Sequence, residues 1–138
     1  MAANINPIYP LVPNSGARNV VLTAANTTKD GTAGTTLVYT AGANGGRVKY
    51  LRLQAIGTNV ASLLRVFLNN GSAVGTAANN SPIGELPLPI ATLSETAMSG
   101  PPMVLPIDLE LGPNERLYVV LATAVAAGWA VTAHGGDF

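Results

Sequence analysis

Cysteine is absent from the 138-residue chain, which excludes disulfide staples, thiolate nucleophiles and cysteine-ligated metals. Charge is scarce as well: charged residues make up 10% of the chain, against roughly 25% in ordinary soluble domains. Seven basic and seven acidic side chains cancel. No basic excess is left to neutralise phosphates, so nucleic acid is not an expected partner. No apolar run approaches the ~20 residues of a membrane-spanning helix, and no membrane partner is expected either. The opening Met-Ala-Ala-Asn-Ile-Asn-Pro lacks the basic and apolar regions of a secretory signal, which predicts synthesis and folding in the cytoplasm.

Catalytic residue types are equally thin. His134 is the one histidine; a nucleophilic triad or a zinc site would need partners that the chain does not set beside it. It alternates with Thr132 and Ala130 and reads as a surface or packing residue. Asp108 and Glu110 sit two apart on a predicted strand, about 6.6 Å along it. That separation falls within the range of glycosidase carboxylates, but any solvated strand face gives the same pattern. The run Gly42-Ala43-Asn44-Gly45-Gly46-Arg47 resembles a phosphate loop only in its glycines. It lacks the Lys-Ser/Thr pair and a following helix, and reads as a hairpin turn. No enzyme activity, cofactor or metal is expected.

What the chain has in abundance is Thr, Asn, Ser, Gly and Ala, together with 48% hydrophobic residues. Few charges on a small protein suit a surface covered by other protein. Arg18, Lys29, Arg47, Lys49, Arg52 and Arg65 lie in the first half, and Glu85, Glu95, Asp108, Glu110, Glu115 and Asp137 in the second. Interleaving of the two halves in a sandwich would average these charges out.

Residues 1–18 read as an extended arm. Pro7, Pro10 and Pro13 are spaced by three, and proline favours extended backbone while removing ladder donors. Between them stand Ile5, Ile8, Tyr9, Leu11 and Val12, too apolar for a segment that floats in water. These five are the candidate docking residues.

Residues 19–138 then show short β-type runs broken by turn residues, the pattern of a sandwich. Predicted strands cover 19–24, 35–41, 47–56, 63–69, 83–90, 103–111, 115–121 and 128–134. Met103, Leu105, Ile107, Leu109 and Leu111 alternate with Val104, Pro106, Asp108 and Glu110, giving one inward face. Pro106 marks that strand as an edge or a bulge. In 47–56 the apolar phase slips at Tyr50-Leu51, which predicts a bulge or burial of both faces. Helix is confined to at most a turn in 91–98. The expected fold is all-β: a two-sheet, jelly-roll-like β-sandwich of about eight strands behind an extended Pro-rich arm. Trp129 reads as a core or interface aromatic, with sugar stacking as the alternative.

Several of these runs also resemble a known family. They are Ala24-Ala25-Asn26-Thr27-Thr28-Lys29-Asp30-Gly31-Thr32, the stretch from Tyr39 to Val48, Gly57-Thr58-Asn59-Val60-Ala61, and the ending from Val125 to Phe138. Over residues 20–138 they resemble a family of small structural proteins of tailed-bacteriophage virions, of the decoration or cement kind. The resemblance implies a capsid-surface station, contact with the major capsid protein and with further copies of the chain as a homotrimer, and no catalytic residues. Attachment at a tail or head fibre, or a carbohydrate-binding adhesion module, are the alternatives.

Overall fold

The computed structural model describes residues 12–13 and 19–138. Nine strands follow in chain order: β1 (Val12–Pro13), β2 (Asn19–Leu22), β3 (Thr36–Thr40), β4 (Gly46–Ala55), β5 (Ser62–Asn69), β6 (Asn80–Leu88), β7 (Met103–Leu111), β8 (Arg116–Leu121) and β9 (Trp129–Asp137). The expected all-β sandwich is present. One 3-10 turn, Ala77–Asn79, is the one helical element among the described residues, and residues 91–98 form none.

The pairing is nested. β5 pairs with β6, β4 with β7, β3 with β8 and β2 with β9, all antiparallel. This is one long hairpin with its tip between β5 and β6. Rolling it up adds the β4–β9 and β5–β8 pairs and divides the strands into two sheets, β2-β9-β4-β7 and β3-β8-β5-β6. Such a roll is a jelly roll. β1, part of the segment read as an arm, adds two residues to β9, with Val12 opposite Asp137 and Pro13 opposite Gly136.

The core lies between the sheets. Leu51, Leu53, Leu64, Val66, Leu117, Val119 and Val131 are completely buried there. In β4, Gly46 and Val48 face inward, then Leu51, Leu53 and Ala55, so the phase slips by one residue. The expected bulge is its cause. Lys49 is the extra residue against β9, where Val48 pairs with Gly135 and Tyr50 with His134. Lys49 is exposed, and the twist a bulge adds lets both halves of β4 face the core.

β7 lies at the edge of its sheet, as Pro106 predicts. Its register against β4 also shifts, between Leu109 and Pro106. Asp108 at this shift has φ +46°. The edge strand of the other sheet, β6, carries Pro82 and Pro87 and its own register shift.

One expectation is corrected. Residues 42–47 turn tightly, with Gly45 N donating to Gly42 O at 3.0 Å, but they do not close a hairpin. β3 and β4 belong to different sheets, so the turn crosses from one layer to the other. Turn chemistry sets the reversal and is blind to which sheet follows.

The connection from β2 to β3, residues 23–35, folds over the outer face of the second sheet. Phe67 is buried although it lies outside the core cluster. It is covered by Gly31, where a Cβ would come within 3.0 Å of the ring. Arg65 Nη1 donates to Asn26 O at 3.0 Å and Asn26 Nδ2 to Ala33 O at 2.6 Å, which ties this strap down. At its apex the Asp30 carboxylate accepts from the Thr28 hydroxyl (2.6 Å), the Thr32 N–H (3.0 Å) and the Thr32 hydroxyl (2.7 Å). The Thr28 bond contributes most to holding the Asp30 pKa down at about 2, followed by those from Thr32.

A carboxylate whose folded pKa lies below its unfolded value contributes stability above the unfolded pKa and loses it as pH falls through the folded one. The strap should therefore loosen between pH 4 and 2, and Asp30→Asn should remove the dependence. Amide exchange of Thr32 across that range is the measurement; an unchanged rate would refute the assignment.

Candidate interaction surface

The two ends of the roll differ in chemistry. At one end lie the tight turns 41–45, 70–79 and 112–115 with the C-terminus. They are cross-tied by Asn114 N to Gly42 O at 3.3 Å and Phe138 N to Gly45 O at 3.2 Å. Asp137 Oδ1 accepts there from the buried Tyr39 hydroxyl at 2.7 Å and from Gly42 N at 3.1 Å. The Asp137 carboxylate, the Tyr39 hydroxyl and the Gly42 N–H satisfy one another there.

The opposite end is apolar. It is built by residues 56–61, 89–102 and 122–128, which connect β4 to β5, β6 to β7 and β8 to β9. Asn59 organises it. The residue is buried, its Oδ1 accepts from Ala127 N at 3.0 Å and Gly128 N at 2.9 Å, and its Nδ2 donates to Gly128 O at 2.7 Å. Its backbone pairs both ways with Ala91. Side chain and backbone together, this one residue ties the three connections to one another.

Large apolar side chains stand out from this frame: Ile90 is 70% exposed, Leu93 57%, Met98 76% and Val60 57%. Beside Ile90 a cavity of about 140 Å³ opens, walled by Ala55, Pro89, Ala91, Pro101, Met103 and Trp129, with Gln54 as a polar member. Trp129 is 3% exposed, and its Nε1–H finds no acceptor among the described residues. A buried donor left unmatched is costly.

The sequence-predicted residues fall as follows. Ile5, Ile8, Tyr9 and Leu11 lie outside the described residues. Val12 is exposed on β1. Trp129 is a wall of the cavity, its ring too covered to serve as an open platform for a sugar. Asp108 takes a hydrogen bond from Arg47 at 2.6 Å, which raises the Arg47 pKa. Glu110 shares the exposed face of β7. His134 stacks on Tyr50, ring centroids 4.5 Å apart and planes 17° off parallel. No group of three or more His, Asp or Glu among the described residues is placed to hold a metal ion.

Sequence reasoning missed Ile90, Leu93, Met98 and Val60. For Leu93 and Met98 the available signal was their place inside the Ser/Thr/Pro-rich stretch 89–102, where no strand periodicity gives them a core to enter; Val60 carries no such signal, and Ile90 fell inside the predicted strand 83–90.

No family model, curated protein or solved structure matches this chain.

Proposed function

We propose that this chain is a virion structural protein of a tailed bacteriophage, a decoration subunit that binds the outer capsid surface and bridges capsomers. The observation that carries this reading is the apolar end of the roll. Ile90, which lines a cavity, and Leu93 and Met98 of the same connection are all exposed, on a chain with 10% charged residues. An exposed apolar patch of this kind marks a protein contact. The jelly roll recurs in capsid proteins, which supports the station by analogy of fold. The major capsid protein and further copies of the chain, as a homotrimer, are the partners in this reading. Its chemistry is buried contact, with no reaction, cofactor or nucleic acid.

Quantitative mass spectrometry of purified particles tests it. Hundreds of copies per particle are expected of a shell subunit. A handful would move the protein to a tail or head fibre, and absence from the particle would end the proposal. The adhesion reading has weaker support, because Trp129 is enclosed.

A further inference from the structure

We infer that the outer face of the β2-β9-β4-β7 sheet carries a small site for an acidic saccharide, a sugar bearing a carboxylate, centred on Arg52. The inference goes beyond the structural role and does not depend on it. Its frame is three neighbouring rungs of the β4–β9 ladder, where Tyr50 stands opposite His134, Arg52 opposite Thr132 and Gln54 opposite Ala130. Alternation along both strands turns all six away from the core. Thr132 and Ala130 are short, so the surface dips there, and Arg52, Gln54 and His134 stand around a depression of about 280 Å³. That is close to the small end of ligand sites.

The first supporting observation is charge. No acidic residue lines the depression. The acids of the neighbouring β7 sit by Arg47, which lies opposite Glu110 and is bound by Asp108 at 2.6 Å. Arg52 lies opposite Val104 instead, is exposed, and forms no ion pair among the described residues. A guanidinium grips a carboxylate through two parallel hydrogen bonds, so Arg52 selects an anion of that shape.

The second is the balance of donors and acceptors around it. Gln54 Nε2 donates to Gly100 O at 3.5 Å, which leaves Gln54 Oε1 as an acceptor. The Thr132 hydroxyl donates to Asn19 Oδ1 at 3.3 Å, which leaves its lone pairs. His134 is held by stacking on Tyr50, ring centroids 4.5 Å apart, and a neutral imidazole offers one donor and one acceptor. A carboxylate only accepts and would leave these acceptors idle, whereas sugar hydroxyls donate to them. The site also runs about 13 Å along β9 from Ala130 to His134, more than a lone carboxylate covers. Both points favour a saccharide over the acidic side chain of a partner protein. Lectins include jelly rolls, an analogy of fold alone.

The test is titration of the full chain at fixed salt, followed by NMR, with glucuronic acid, glucose, acetate and a hexaglutamate peptide as probes. Glucuronic acid should bind saturably and shift the imidazole signals of His134, the one histidine. Glucose and acetate should each bind at least about 10-fold more weakly, having lost one half of the recognition. Arg52→Gln should weaken glucuronic acid about 10- to 100-fold, the loss of charged hydrogen bonds, and Thr132→Val about 2- to 10-fold. Arg52→Lys keeps the charge without the fork and should fall between Arg52→Gln and wild type. Lys49→Gln removes an exposed cation of the same strand outside the depression and should change nothing. Circular dichroism should match wild type throughout, and Thr132→Val carries the comparison if Arg52→Gln misfolds. Absence of saturable binding, wild-type affinity in Arg52→Gln, or an equal loss in Lys49→Gln would each overturn the inference. Acetate binding as tightly as glucuronic acid would rule out the saccharide, and tighter binding of hexaglutamate would hand the site to an acidic protein. None of these results bears on the copy number in particles, which tests the capsid reading separately.

Discussion

Asn59→Ala is expected to destabilise the domain by about 3 kcal/mol, the sum of three hydrogen bonds partly relieved by water. The side chain accepts from Ala127 N and Gly128 N and donates to Gly128 O. Alanine leaves the Ala127 and Gly128 N–H groups unpaired, in a place where Asn59 itself is 2% exposed, while the Gly128 carbonyl keeps the bond from Ile56 N. Its backbone pairing with Ala91 survives, so the change isolates the side chain. Urea unfolding should show a lower midpoint at an unchanged slope, as for a loss of stability without a change in the surface exposed on unfolding. A loss below about 1 kcal/mol would mean that water replaces the side chain freely and that Asn59 does not hold this end together.

Gly135→Ala should be at least as severe, costing about 3 kcal/mol or more, the range of forced overpacking. A Cβ at Gly135 would overlap the Arg47 carbonyl oxygen and lie 2.9 Å from Val48 Cα. These are backbone atoms of the adjacent strand, with no flexible end to swing away. The site is where β4 and β9 change register around Lys49, so relief would require re-registering the two central strands of the sheet. Thermal unfolding should fall by roughly 10 °C for a domain of this size. A melting temperature within a degree or two of wild type would show that the bulge can migrate.

Much of this architecture is legible from the residues alone, where one face is buried and the other wet. The alternation in Met103–Leu111 places β7 with the bounds expected, and Pro106 announces its edge position. The phase slip before Leu51 announces a bulge. β9 runs on to Asp137, three residues beyond the expected 134, because Gly135-Gly136-Asp137 carries no apolar pattern. Those residues are held by pairing with Gly46–Val48, a tertiary cause that no local pattern reports. Phe67 shows the same limit: it faces outward from its sheet and is buried only because residues 23–35 fold back over it.

The interaction surface was less legible than the strands. Val60 and Ile90 are 30 positions apart in the sequence, and their segments are brought together by the mutual pairing of Asn59 with Ala91 and by the bond from Leu93 N to Thr58 Oγ1. The proline-spaced segment could be read as a docking element from composition. The cavity beside Ile90 could not be read in that way, since a cavity is made by elements that meet only when the chain rolls up.

That rolling also sets a schedule. β9 lies between β2 and β4, so the last of the nine strands to be made sits between two that were made early. The β5–β6 pair at the tip can close first, being nearest in sequence, and zippering outward from it is the cheapest route in loop entropy. Until residues 129–137 emerge, the inward faces of β2 and β4 have no central strand to join them. The sheet cannot close before β9 is made, and loss of the whole strand would release an open sheet rather than a shortened protein.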